Sequence, residues 1–296
     1  MKRKTIYVSF ALLTFMSCQK NDSKTEIEDE PKSTFLISGS DSEKAMIQLM
    51  VKRFESNHNI QVEGGGSRIG IGKLLRGEAH VANSSRSISL VEARNAKSAG
   101  VKPYSVIIAM DALAFITNAK NGVDSLSTIQ IKKILSGEIT NWKEVGGKNL
   151  PITIYGRDKN SGTHQYVKDL FLGEDDFPAN TKIASSNKDV VDIVTEDSTS
   201  FGYVGVAFVK NEFNKVRKGI KAQNVYIEGE MRAYSPLEDQ KVMNGLYPFV
   251  RPLYQYFNGK PTGELAKFLK FELSDEGQQI VFQYGYFPVS EELNLD

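Results

Sequence analysis

The chain is poor in the residues from which many enzymes and metalloproteins build their sites. Its 296 residues include one cysteine, Cys18, one tryptophan, Trp142, and three histidines. A single cysteine excludes an internal disulfide. His58, His80 and His164 are scattered, without a His-Glu-x-x-His pair or a second cysteine, so no metal site is expected. No Gly-x-Ser-x-Gly elbow occurs. The glycines of Gly64 to Gly72 miss the spacing of a dinucleotide fingerprint, and no phosphate-loop Lys-Ser pair follows them, so no cofactor is expected either. Charge of one sign is also missing. The 37 basic and 36 acidic residues leave a formal charge of +1, and no basic stripe offers the phosphate contacts that a nucleic acid would need.

Long apolar runs are scarce as well. Ile6 to Met16 is too short to span a bilayer as a stable helix. It follows the positive stretch Met1-Lys2-Arg3-Lys4 and reads as the core of a secretion signal over residues 1–17. Cys18 stands where a bacterial lipobox carries its lipidated cysteine, with Phe15 where leucine is usual. Residues 18–32 are polar and carry the acidic cluster Glu26, Glu28, Asp29 and Glu30, as a flexible tether would. The expectation is a periplasmic or cell-surface protein anchored to a membrane by lipid, its folded part beginning near Ser33.

What the remaining chain has is apolar material enough for two domains or one large one, 40% of residues, and a repeated local construction. A β-branched run feeds a turn of small polar residues, and the turn opens a helix. Pro151 to Tyr155 leads through Gly156-Arg157-Asp158-Lys159-Asn160-Ser161-Gly162-Thr163 into a helix ending near Leu172. Thr34 to Ile37 leads through Ser38-Gly39-Ser40-Asp41-Ser42 into a helix carrying Met46, Leu49 and Met50, with Asp41 or Ser42 as its cap. Ile60 to Val62 leads into Gly64-Gly65-Gly66-Ser67 before a helix over Gly72 to Arg76, and Ala79 to Ala82 leads into Asn83-Ser84-Ser85-Arg86. Each junction sets backbone N–H groups and hydroxyls at a helix N-terminus, where the dipole favours an anion by about 0.3–1 kcal/mol. Open α/β sheets bind ligands at the carboxyl ends of their strands, so the four turns can share one crevice. Donors converging with few carboxylates imply an oxyanion, and Arg157 adds a planar fork suited to its oxygens. A Ser161–His164 pair keeps hydrolase chemistry as an alternative.

Further along, Val106 to Met110 and Leu113 to Thr117 are two β-rich runs leaving the first unit, and Val225 to Ile227 is expected to cross back to it. Trp142 reads as packing, and Arg251 as one half of a structural ion pair.

With these junctions in hand, the chain resembles the PstS-like family, the periplasmic phosphate-binding proteins of ATP-driven phosphate importers. The resemblance runs from Ser38 to Val289 through the four turns, Ser136 to Trp142, Phe201-Gly202-Tyr203-Val204, Tyr247-Pro248 with Arg251-Pro252-Leu253-Tyr254, and Gly285-Tyr286. It implies an α/β periplasmic-binding-protein type II clamp with two α/β lobes, central mixed sheets and a hinge of two crossings. Lobe I would comprise 33–111 plus 228–296, and lobe II 112–227. The function implied is capture of inorganic phosphate by a non-enzymatic monomer and its delivery to the membrane permease of an ABC importer. The implied ligand shell is Ser40, Asp41, Ser42, Ser67, Ser85, Arg157, Ser161, Gly162 and Thr163. Many members carry a carboxylate where this chain has Ser85, and others an acid where it has Lys159. The proton of hydrogen phosphate must then find another acceptor, Asp41 first and Asp158 second. The alternatives are a binder of sulfate or molybdate and a secreted phosphate-ester hydrolase.

Overall fold

The computed structural model describes residues 34–56, 58–211, 215–230 and 232–290. The expected signal, Cys18 and the tether lie outside the described residues. The first half alternates as the apolar spacing requires: β1 (Thr34–Gly39), α1 (Lys44–Arg53), β2 (Asn59–Glu63), α2 (Ser67–Leu75), β3 (Val81–Ser84) and α3 (Leu90–Ser98). β1 pairs in parallel with β2 on one side and β3 on the other, so all three present their carboxyl ends at one edge. Met46, Ile47 and Met50 recur at helical spacing on α1 and pack with Ile37 of β1.

α2 begins five residues earlier than the expected Gly72, because glycines inside it serve packing and do not break the helix. A Cβ at Gly70 would sit 2.2 Å from the Ser38 carbonyl oxygen, so only glycine lets α2 lie this close to β1. The runs Val106 to Met110 and Leu113 to Thr117 form one strand, β4 (Pro103–Asn118), buried on both faces over its last eight residues. This strand passes from the first half of the fold into the second.

The second half contains β5 (Ser125–Ser127), α4 (Thr128–Ser136), β6 (Thr153–Arg157), α5 (Gly162–Phe171), β7 (Lys182–Ala184), α6 (Asn187–Glu196), β8 (Ser200–Gly205), β9 (Ile220–Ala222), β10 (Asn224–Tyr226) and α7 (Asp239–Met243). Val225 does not make the return crossing, since β10 pairs in parallel with β5. Tyr247 and Phe249 still pack with Phe115, Phe171 and Phe201, and the chain returns only in β11 (Val250–Asn258), followed by α8 (Gly263–Leu273) and α9 (Asp275–Gln283). The strand order is β2-β1-β3-β11-β4-β8-β6-β7, with β9 also on β4, in a mixed sheet that runs through both halves. Trp142 is a packing residue: it is fully buried, and its Nε1–H donates to the Thr199 carbonyl at 3.0 Å.

The two crossing strands are joined by charge as well as by their ladder. Arg251 of β11 lies opposite Asp111 of β4, and its Nε and Nη2 donate to Asp111 Oδ2 at 3.1 and 2.8 Å. Both residues are buried. Removing one member of such a pair leaves an uncompensated charge and costs roughly 3–5 kcal/mol, which confirms Arg251 as part of the framework.

Two carboxyls are buried without a cation bonded to them. Glu272 on α8 accepts from Gln255 Nε2 at 2.9 Å, and Glu43 ends the first ligand turn. Burial pushes both well above the ordinary glutamate range, with the Gln255 bond opposing it at Glu272. A raised folded pKa means that the folded chain keeps its proton while the unfolded chain loses it above about pH 4.3, so stability falls as pH rises. Glu272→Gln, which never ionises, is expected to raise the thermal midpoint at pH 8 and to leave it near wild type at pH 4; an equal effect at both pH values would contradict a protonated Glu272.

Candidate functional site

The carboxyl ends of β1, β3 and β6, with the starts of α5 and α6, converge on a small, tightly closed cavity lined by Ser40, Asp41, Ser42, Gly66, Ser85, Arg157, Ser161, Gly162, Thr163 and Asn187. Eight of the nine residues expected from sequence line it. The ninth, Ser67, stands one layer behind: its Oγ accepts the Ser85 N–H at 3.1 Å and lies 3.5 Å from Ser85 Oγ.

Arg157 ends β6 and is 2% exposed. Its Nη2 donates to Asp41 Oδ2 at 2.9 Å, and its Nε has no partner among the described residues. The other oxygen of Asp41 accepts the Gly65 N–H at 2.9 Å, so the turns after β1 and β2 and the end of β6 meet at one carboxylate. The Arg157 N–H donates to Tyr203 Oη at 3.4 Å, and burial holds that phenol well above its usual range.

The α5 terminus is built as its sequence suggests. Ser161 caps the helix, accepting the His164 N–H at 3.3 Å, and Asp158 Oδ1 accepts the Asn160 N–H at 2.7 Å. That bond holds Asp158 to its own turn, and Asp158 does not line the cavity, whereas Asp41 does. A Cβ at Gly162 would lie 2.2 Å from Ser67 Oγ and 2.5 Å from Ser85 Oγ, so only a bare backbone lets α5 come this close to both hydroxyls. Thr163 Oγ1 accepts from Arg251 Nη2 at 3.0 Å, which leaves its own hydrogen for the cavity.

Ser161 and His164 do not form a nucleophile and base. The bond between them uses the His164 backbone, while the His164 ring faces Tyr203 Oη at 3.4 Å and packs on Phe177. Burial lowers the imidazole pKa, so the ring is neutral at neutral pH.

Gly66 and Asn187 were not anticipated. Asn187 opens α6 after Ala184-Ser185-Ser186, a fifth strand-to-turn-to-helix junction, which escapes notice because β7 has three residues, two of them exposed. The cavity thus presents hydroxyls, the N-termini of α5 and α6 and one guanidinium to its contents, against one carboxylate, which suits an anion.

A model of the PBP superfamily domain matches residues 24–276. The chain is 30% identical over 255 residues to the phosphate-binding protein PstS of Pseudomonas aeruginosa, covering 80% of this chain and 76% of that protein. It is 27% identical over 300 residues to the PstS of Borreliella burgdorferi, covering 97% and 99%. The fold is similar to the crystal structure of an ABC-type phosphate transport receptor from Vibrio cholerae, with a TM-score of 0.69, 26% identity, and coverage of 86% and 100%.

Gly162→Ala is expected to weaken oxyanion binding about tenfold or more and to lower the thermal midpoint, since overpacking against Ser67 and Ser85 costs ~1–3 kcal/mol. Calorimetric titration checks this, and affinity within twofold of wild type would contradict the packing of Gly162 on the two serines.

Proposed function

Because the chain belongs to the PBP superfamily, and within it to the PstS-like phosphate-binding proteins, we propose that it captures inorganic phosphate in the Arg157–Asp41 cavity and delivers it to the permease of an ABC-type phosphate importer. The observation that carries the reading is a buried guanidinium whose Nε has no partner among the described residues, beside hydroxyls and two helix N-termini. About eight net hydrogen bonds at about 1 kcal/mol each give about −8 kcal/mol, the scale of a ~1 μM complex. The protein is a binder and not an enzyme: its relatives are phosphate-binding proteins, and the His164 ring is turned to Tyr203.

The ligand shell is Ser40, Asp41, Ser42, Ser85, Arg157, Ser161, Gly162 and Thr163, with Ser67 supporting Ser85. Asp41 accepts the proton of hydrogen phosphate. Its contact with Arg157 and its place in the lining support this over Asp158. The two lobes close as a clamp about β4 and β11. Packing of Tyr247 and Phe249 with Phe115 favours setting the second crossing at β11 rather than at residue 228. The protein acts as an extracytoplasmic monomer, held to a membrane through lipidated Cys18.

Two measurements test these statements. Arg157→Ala is expected to weaken phosphate binding by roughly 2–5 kcal/mol, and Arg68→Ala, at an exposed position on the rim, by less than about 1. Equal losses would put the site elsewhere. Cys18→Ser should move the mature protein from the membrane to the soluble fraction with phosphate affinity unchanged, because the polar tether has no apolar face of its own. A variant still in the membrane fraction would rule out the lipid anchor.

A further inference from the structure

Asn187 has the burial of a core residue and only part of the hydrogen bonding that a core amide needs. It is 1% exposed, opens α6 and lines the cavity. Its Nδ2 donates to Ser42 Oγ at 3.4 Å, a residue 145 positions earlier in the chain, while its Oδ1 has no partner among the described residues. The placement follows from the sheet. β7 pairs with β6 so that Ala184 lies beside Arg157, and the turn after Ala184 therefore delivers Asn187 next to the guanidinium. Ser42 is held from its other side, where Tyr286 Oη donates to its carbonyl.

A hydroxyl has one hydrogen to give and can accept from others. When Asn187 donates to Ser42 Oγ, the Ser42 hydrogen is free to point into the cavity. The same device operates at Thr163, which accepts from Arg251, while Ser67 behind the lining accepts from the Ser85 N–H. Among these, Asn187 alone approaches across the cavity, joining α6 to the turn after β1.

We propose that Asn187 is a positioning residue that makes Ser42 a committed donor to the bound oxyanion and ties the two sides of the cavity together. This deepens the phosphate-binding reading and rests on it. Asn187 acts through Ser42, so the two residues should share one free-energy contribution instead of making two.

The test is a double-mutant cycle read by calorimetric titration with inorganic phosphate. Asn187→Ala and Ser42→Ala are each expected to weaken binding about five- to tenfold, and the double variant no more than the weaker single. Asn187→Asp, of the same size, should lose more than Asn187→Ala, because a carboxylate would take the Ser42 hydrogen and set a like charge beside the anion. Losses that multiply in the double variant, or an Asn187→Ala protein with wild-type affinity, would overturn the proposal. Should Asn187→Ala fail to fold, Asn187→Asp with affinity equal to wild type would overturn it just as directly. A wild-type chain that takes up no phosphate would instead remove the functional reading, and the wild-type titration separates that outcome from the others.

Discussion

A guanidinium withdrawn from water sets the terms for everything around it. Arg157 is almost wholly buried, and desolvating a cation costs several kcal/mol unless its donors are met. Asp41 meets Nη2, and Nε is left unpartnered. The carboxylate arrives from the turn after β1, more than a hundred residues from β6 in sequence, so the pair exists only where the two halves of the fold come together. The Arg68 N–H adds a hydrogen bond to the Asn160 carbonyl at 3.2 Å, tying the start of α2 to the turn before α5. Charge, turn geometry and the meeting of the halves are thus one constraint seen from three sides.

The layer behind the cavity is arranged to limit the negative charge near it. Asp111 is paired with Arg251, and a second Nη2 contact of Arg251 reaches Thr163 at the cavity wall. Burial pushes the carboxyls of Glu43 and Glu272 well above their ordinary range. An ionised Glu43 directly after Ser42 would oppose a bound anion through a medium of low effective dielectric, and burial works against that ionisation.

Much of this was legible in the sequence for a physical reason. A β-branched run, a turn of small polar residues and an apolar helix pattern are local signals, and their recurrence at Ser40, Ser85 and Ser161 marks one edge of the sheet. The family resemblance then carried the order of the junctions. What escaped depends on tertiary contact. Gly70 reads as lying ahead of the helix because the closeness of α2 to Ser38 has no local signature. Val225 reads as a crossing strand because its pairing with Leu126 of β5 is set by packing. Asn187 follows a strand too short and too exposed to stand out. Asp41 and Asp158 both stand in a polar turn after a strand, so no local signal separates them; the cavity lining includes Asp41 and not Asp158.

The central claim is that a protonated oxyanion is recognised by Arg157 and the surrounding donors, with Asp41 accepting its proton. Sulfate at neutral pH has no proton to give, so a carboxylate in the shell sets lone pair against lone pair, and a group left unmatched costs about 1–3 kcal/mol. The most direct measurement is a parallel calorimetric titration of the wild-type protein and Asp41→Asn with phosphate, sulfate and molybdate at neutral pH. The account predicts that the wild type prefers phosphate by tenfold or more and that Asp41→Asn loses most of that preference. Equal wild-type affinities for phosphate and sulfate, or a preference for sulfate or molybdate, would contradict it.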